Sequence, residues 1–233
     1  MPKRLSKSKY IAGLQCHKRL WLEIHKPELA SPPPPGRQRI FDQGTTVGEL
    51  ATEEFPDGVL IEADYLNIPD AIKQTKEALD NSVDVIFEGC FIYDDVLVRP
   101  DIILRNDLGS WNMIEVKSST SVKPENIHDV AVQTWVLQGC GLELKQVFLK
   151  HINRDCVYPD LSNLFRTEDI TEPVRAVLPI IPKKLSEYKS MLDKPEPNVT
   201  IGKHCSNPYD CQFVDYCWKD VPEHSIFTVP RLR

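Results

Sequence analysis

Two acidic residues and a lysine lie in the middle of the chain, within Pro100-Asp101 and Glu115-Val116-Lys117. Two carboxylates and a backbone carbonyl, for which Val116 is best placed, suit a Mg²⁺ or Mn²⁺ ion that keeps several waters. Such a cation polarises a phosphate and activates a water, and a lysine neutralises charge on the phosphate oxygens. The pattern therefore indicates metal-dependent cleavage of a phosphodiester.

Strand periodicity predicts how these three side chains meet. Residues 83–93 and 96–105 are two predicted strands joined by a turn, and residues 110–118 form a third. Alternation along a strand places Glu115 and Lys117 on one face, and Asp101 lies on the preceding strand. We therefore expect the three to converge at one sheet edge. The same residue types also occur on solvated strand faces with surface ion pairs, so that alternative stays open.

The remaining periodicity completes an alternation of helices and strands. Helices are predicted at 7–25, 41–55, 69–80 and 127–139, with Asn126 as the N-cap of the last, and strands at 59–61 and 147–152. This order predicts an α/β fold with a central mixed sheet flanked by helices.

Seven cysteines require an explanation, and four of them form a pattern. Cys205, Cys211 and Cys217 are evenly spaced near the C-terminal end, and Cys16 is the candidate fourth ligand. Zinc also accepts four cysteines, but its sites usually have short Cys-x2–4-Cys knuckles. Wide spacing with a distant fourth ligand favours an iron–sulfur cluster, although four unrelated cysteines remain an alternative. Three others are isolated and are expected to be small buried hydrophobic residues: Cys90, Cys140 and Cys156.

Composition favours a folded protein of the cytoplasm. The hydrophobic content of 41% and charged content of 27% are typical of globular chains and exclude disorder. No apolar segment follows the N-terminal Met1-Pro2-Lys3-Arg4, so no signal peptide is expected, and no apolar run is long enough to span a membrane. The net charge of −6 argues mildly against a nucleic-acid binder, although acidic residues that hold cations contribute to it.

Taken together, these motifs resemble the RecB-like iron–sulfur nucleases of the PD-(D/E)xK superfamily. That group includes the CRISPR-adaptation exonucleases of the Cas-four type and the nuclease domain of AddB-like helicase–nucleases. The matching segments arrive in the family's order over residues 5–218: 5–10 with Cys16, 44–49, Pro100-Asp101, 114–117, the helix with Gln133, and the three C-terminal cysteines.

The resemblance implies a restriction-endonuclease-like fold with Asp101, Glu115 and Lys117 as catalytic positions. Asp101, Glu115 and the Val116 carbonyl would hold the metal. Gln133 occupies the family's Gln-x3-Tyr position, where it would help place the nucleic acid or the attacking water, although Leu137 replaces the tyrosine. Gly48 replaces the metal-assisting histidine of the first motif, which leaves Glu49 as the candidate substitute ligand.

The resemblance also implies a [4Fe–4S] cluster on Cys16, Cys205, Cys211 and Cys217. The cluster would join residues 1–30 and 199–218 into one subregion of a single domain, 1–233. The implied activity is exonucleolytic hydrolysis of single-stranded DNA, with proteins of CRISPR adaptation or DNA repair as partners. Two alternatives remain: a module of this fold that binds nucleic acid without cutting it, and a zinc-stapled protein of unrelated role.

Overall fold

Strands and helices alternate along the chain. The computed structural model describes residues 4–34, 36–63, 65–106, 108–222 and 225, except for the side chains of residues 37 and 38. The strands are β1 Leu5–Ser6, β2 Val59–Leu60, β3 Val85–Phe87, β4 Phe91–Tyr93, β5 Val96–Val98, β6 Ile102–Arg105, β7 Trp111–Lys117, β8 Leu144–Ile152 and β9 Phe165–Asp169. The α-helices are α1 Lys7–Gln15, α2 His17–His25, α3 Arg37–Thr52, α4 Ile68–Asp80, α5 Pro124–Gly139, α6 Thr171–Val177, α7 Ile181–Leu192 and α8 Val214–Trp218. Three 3₁₀ turns cover Pro27–Leu29, Leu178–Ile180 and Lys203–Cys205. No helix in the described ranges has both the length and the apolar character that crossing a bilayer demands.

The strands form two mixed sheets. The larger has the order β2-β3-β6-β7-β8-β9, with β2–β3 and β7–β8 parallel and its other pairs antiparallel. The smaller has the order β1-β5-β4, with β1 parallel to β5. The prediction of an α/β fold built on a mixed sheet with flanking helices is confirmed, although two sheets replace the single one expected.

The second sheet arises because two predicted strands are each divided. Residues 83–93 divide into β3 and β4, separated by Glu88, whose φ of 54° lies in the left-handed region, and by Gly89. Residues 96–105 divide into β5 and β6 around Pro100, which has no N–H to donate to a ladder. Between β3 and β6 the chain therefore crosses from the larger sheet to the smaller and back, and Asp101 lies at the return crossing, directly before β6.

The larger sheet is buried on both faces around β7. On one face Phe87, Ile102 and Ile114 form an apolar cluster against which Phe55 and Phe148 pack. Glu115 and Lys117 lie on the opposite face, where their side chains contact each other and helix α5. Helix α5 is buried along most of its length, because its apolar side chains pack between the strands and α6.

The predicted helix over 7–25 is two helices. Cys16 interrupts it with an extended backbone (φ −162°, ψ 121°). Its N–H donates to the Ala12 carbonyl at 2.9 Å, and its carbonyl accepts from the Leu20 N–H at 3.2 Å, so it closes α1 and opens α2. Helix α5 also begins earlier than predicted, at Pro124. Asn126 is its third residue and accepts a hydrogen bond from the Lys123 N–H at 2.9 Å.

The described residues divide into two compact units. The first contains those up to Ile11 and from Gly36 to Glu187, including both sheets. The second contains Ala12–Pro34 and those from Tyr188 onward, and its core includes the fully buried Leu20, Leu22 and Phe213.

Helix α5 packs so closely on β4 that an added methyl group has no space. A Cβ atom at Gly139 would lie 2.2 Å from the ring of Tyr93. We expect Gly139→Ala to lower the free energy of unfolding by about 1–3 kcal/mol, as overpacking usually does. Gly48→Ala is the matched control, because a Cβ there meets nothing within 4 Å. It should raise the free energy of unfolding by up to about 1 kcal/mol through helix propensity. Urea denaturation measures both, and equal effects would contradict the packing account.

Candidate active site and cysteine cavity

Asp101 is fixed by backbone contacts on both sides. Its carbonyl accepts the Glu88 N–H at 3.1 Å, and its carboxylate Oδ2 accepts the Val116 N–H at 2.6 Å. The amide and carbonyl of one strand residue point to the same side of the strand. The Val116 carbonyl therefore faces the side of β7 on which Asp101 lies, as its proposed role as a metal ligand requires.

Glu115 is the centre of the cluster and only 1% exposed. Its Oε1 accepts from two ammonium groups, Lys7 Nζ at 2.8 Å and Lys117 Nζ at 2.6 Å. Its Oε2 accepts from the side-chain amide of Gln133 at 2.7 Å. Lys117 also donates to Asp129 Oδ2 at 2.6 Å. The structure thus brings Glu115, Lys117 and Gln133 into direct contact.

Two members of the cluster were missed from the sequence. Asp129 lies four residues before Gln133 on α5, so both side chains share one helix face, and this spacing was a usable signal. Lys7 is brought to the site by sheet pairing. Strand β1 pairs with β5 in the register Ser6↔Leu97, which places the first residue of α1 beside the segment that leads to Asp101. That pairing joins residues far apart in sequence and leaves no local signal.

Charge and burial oppose each other at this site. Burial, together with the nearby Glu115 carboxylate, raises the pKa of Asp101 to about 7. Burial also disfavours the charge of Glu115, but the Lys117 and Lys7 ammonium groups outweigh it and hold the pKa of that carboxyl well below its usual range. Burial works against the charges of Lys117 and Lys7 too, and the surrounding carboxylates, first Glu115, raise the pKa of both. Of the two carboxyl groups, Glu115 therefore has the lower pKa and Asp101 the higher.

Glu49, the candidate substitute for the missing histidine, is exposed on α3. In the part of the chain that the structure describes, no hydrogen bond or ion pair joins its carboxylate to the cluster. Carboxylates that share a cation need not bond to each other, so the role of Glu49 as a metal ligand stays a prediction.

Gln133 has one unmet hydrogen-bonding group. The side chain is fully buried, and its Oε1 has no donor within the described ranges. Among those residues, no three His, Cys, Asp or Glu side chains converge as a complete metal site. A hydrated cation needs fewer, because Mg²⁺ usually binds one or two carboxylates and keeps several waters. Asp101, Glu115 and the Val116 carbonyl are the available oxygen ligands, and Gln133 Oε1 is a buried acceptor for a metal-bound water.

The four cysteines of the predicted cluster line one cavity in the second unit: Cys16, Cys205, Cys211 and Cys217. All four are free thiols. The cavity itself has a volume of about 20 Å³, and about 360 Å³ in and around it, open solvent included, is free of protein atoms. The Cys211 N–H donates to the Cys205 carbonyl at 2.9 Å, which folds the C-terminal segment so that these thiols face the cavity. Cys16, from the segment between the two parts of the first unit, therefore lies in one cavity with the three cysteines that follow that unit.

Cations and apolar side chains both line the cavity. Lys18 and Arg19 line it beside apolar side chains such as Leu22 and Phe213. Burial raises the pKa of the Cys211 and Cys217 thiols, partly offset for Cys217 by Lys18. Binding of a metal centre must therefore release protons, and the two cations would balance thiolate charge. Among the described residues, these thiols do not form a complete site for a single metal ion.

Comparisons with known proteins find only distant similarity. No family model matches the sequence, and no curated protein matches it. The crystal structure of SSO0001 is 16% identical with a TM-score of 0.38, covering 84% of this chain and 79% of that one. An alkaline exonuclease, LHK-Exo from Laribacter hongkongensis, is 12% identical with a TM-score of 0.47, covering 82% and 89%. Its complex with dAMP is 10% identical with a TM-score of 0.44, covering 82% and 91%. Similarity this distant assigns no family and no activity, so function must be inferred from the chain's own residues.

Replacing Asp101 with Asn should change stability in a pH-dependent way. An unfolded Asp ionises near 3.8, whereas folded Asp101 does so at about 7. Between these values the folded chain binds more protons than the unfolded chain, so its free energy of unfolding falls as pH rises, by up to about 1.4 kcal/mol per pH unit. In metal-free protein, we expect the free energy of unfolding of Asp101→Asn to exceed that of wild type by more at about pH 8 than at about pH 5. Urea denaturation in chelator tests this, with exposed Asp80→Asn as the control. A wild-type-to-variant difference that is constant with pH would contradict it.

Proposed function

We propose that the chain is a divalent-cation-dependent deoxyribonuclease of the PD-(D/E)xK type with a restriction-endonuclease-like fold. The main support for the proposal is that Asp101, Glu115 and Lys117 lie together on the larger sheet, where β6 begins and β7 ends. Gln133 makes the remaining contact of Glu115. Surface ion pairs do not explain this cluster, because Glu115 is fully buried and an unpaired buried charge is costly.

The residues fit a hydrated cation. Two carboxylates and the Val116 carbonyl supply oxygen ligands, and the unmet Gln133 Oε1 supplies a buried acceptor nearby. When bound, the cation polarises the phosphate and lowers the pKa of an attacking water. The chain's own residues position the reactants: Lys117 is held protonated between Glu115 and Asp129, where it donates to the water or to a phosphate oxygen.

Removing the Lys117 ammonium group should slow cleavage strongly. We expect wild type to degrade labelled single-stranded DNA with Mg²⁺ or Mn²⁺ and to stop in chelator. Lys117→Ala should be slower by a factor of about 100 or more, since it loses a donor aimed at developing charge. Lys73→Ala, on the exposed face of α4, is the matched control and should retain wild-type rates.

Equal cleavage by wild type and Lys117→Ala would end the catalytic proposal. Binding of DNA without cleavage by wild type would favour the alternative, a module that holds nucleic acid only. The glycine at position 48 and the exposed Glu49 are the observations that favour that alternative.

For the second unit we propose a [4Fe–4S] cluster on Cys16, Cys205, Cys211 and Cys217. Four free thiols around one cavity support it, and two lining cations suit the charge of a thiolate-ligated cluster. The cluster would covalently connect α2 with the C-terminal segment of the unit and so stabilise that unit in particular.

Purification without oxygen should give a brown protein with about four irons per chain. Cys16→Ser should lose most of the iron and colour. Cys140→Ser should keep both, because Cys140 lies in the other unit and its thiol donates to the Ile92 carbonyl. Metal analysis and visible absorption measure the outcome. A colourless, zinc-loaded wild type would contradict the cluster.

The proposal also includes single-stranded DNA as the substrate, exonucleolytic cleavage with a defined polarity, and partners in CRISPR adaptation or DNA repair. Their support is the resemblance of the sequence motifs to iron–sulfur nucleases. Comparing 5′- and 3′-labelled single- and double-stranded DNA in the cleavage assay tests substrate and polarity together.

A further inference from the structure

Lys7 occupies the candidate active site without a role in the mechanism described so far. Its ammonium lies 2.8 Å from Glu115 Oε1, the oxygen that also accepts from Lys117 at 2.6 Å. The contact joins residues 108 positions apart. The side chain is partly accessible, at 28%, whereas the Glu115 side chain is not, at 1%. Lys7 therefore joins the buried carboxylate to a side of the cluster that solvent reaches.

The number of acceptor positions on Glu115 is limited. A carboxylate offers about four lone-pair positions, two on each oxygen. The two ammonium groups use both positions on Oε1, and the Gln133 amide uses one on Oε2. A cation that binds Glu115 through Oε1 must therefore displace one ammonium group.

Lys7 is the group that can leave. Lys117 has a second acceptor, Asp129 Oδ2 at 2.6 Å, which would hold it in place. Glu115 is the one hydrogen-bond acceptor of the Lys7 ammonium within the described residues. An ammonium group released from Glu115 needs another anion, since it is expensive to leave unpaired in a partly buried site.

The charge of the site indicates which anion it meets. Four carboxylates lie here, on Glu88, Asp101, Glu115 and Asp129, against the cations of Lys7, Lys117 and Arg99. With all these groups ionised, a bound divalent cation leaves one positive charge in excess, which one phosphodiester neutralises. Without Lys7 the cation-loaded site would be neutral and would attract a phosphodiester less strongly.

We propose that Lys7 is a substrate-binding residue, whose ammonium passes from Glu115 to a non-bridging phosphate oxygen when cation and nucleic acid bind. This inference rests on the proposed nuclease function and deepens it by assigning phosphate binding to the first turn of α1. Lys7 thereby differs from Lys117, which Asp129 holds in place beside Glu115.

The test uses the full-length protein and separates binding from cleavage. A fluorescein-labelled single-stranded deoxyoligonucleotide is titrated in Ca²⁺ by anisotropy, and kcat and KM are measured in Mn²⁺. We expect Lys7→Met to weaken binding and raise KM by about tenfold or more, the usual effect of losing a charged hydrogen bond. Its kcat should change less than its KM. Lys7→Arg, which keeps the charge and donors, should stay within a few-fold of wild type.

Lys9→Met is the matched control, because it removes a positive charge from the same helix, two residues away, and should leave oligonucleotide binding intact. Mn²⁺ binding to each metal-free variant is measured by calorimetry. Lys7→Met should bind Mn²⁺ at least as tightly as wild type, because a competing ammonium is gone.

Distinct outcomes separate the two proposals. Equal oligonucleotide binding by wild type and Lys7→Met overturns the role of Lys7, whether or not cleavage is seen. Weaker Mn²⁺ binding in Lys7→Met with unchanged KM also overturns it, since Lys7 would then only orient Glu115. Cation-dependent binding that depends on Lys7, without cleavage by wild type, supports Lys7 and refutes hydrolysis. Absence of cation-dependent binding in wild type refutes both.

Discussion

The buried negative charge of Glu115 is the constraint that organises the first unit. A carboxylate that is only 1% exposed must be paired and hydrogen-bonded, or it would destabilise the fold. Its partners come from three elements, the start of α1, the end of β7 and the middle of α5. These elements therefore cannot shift independently of one another. The same contacts that stabilise the charge also fix the positions at which a substrate phosphate and a cation would bind.

The two candidate sites differ in the chemistry that they select. The first offers carboxylate, amide and carbonyl oxygens, which are hard ligands that suit Mg²⁺ or Mn²⁺. The second offers four sulfurs in a largely apolar cavity, which are soft ligands that suit iron–sulfur clusters. Because the ligand types differ, the two proposed metal centres would draw on different metals.

Sequence patterns predicted those features of the structure that depend on interactions between residues close together in the sequence. Strand alternation correctly placed Glu115 and Lys117 on one face, and periodicity located α4 to within one residue of its start. The division of 83–93 into two strands was missed, although Glu88-Gly89 interrupts the apolar residues, because the break depends on an unusual backbone at Glu88. Strand β9 was missed because four of its five residues are exposed, so it lacks an apolar face. The contact of Lys7 with Glu115 depends on the pairing of β1 with β5, which no window of sequence contains.

The buried oxygen of Gln133 has a consequence for stability. A buried acceptor costs about 1–3 kcal/mol when no donor reaches it, and no protein group among the described residues donates to this oxygen. A ligand that brings a donor there would remove such a cost, so part of its binding energy would appear as resistance to thermal unfolding. A water held by a bound cation is such a donor, and its binding would therefore stabilise the first unit as well as serve the chemistry.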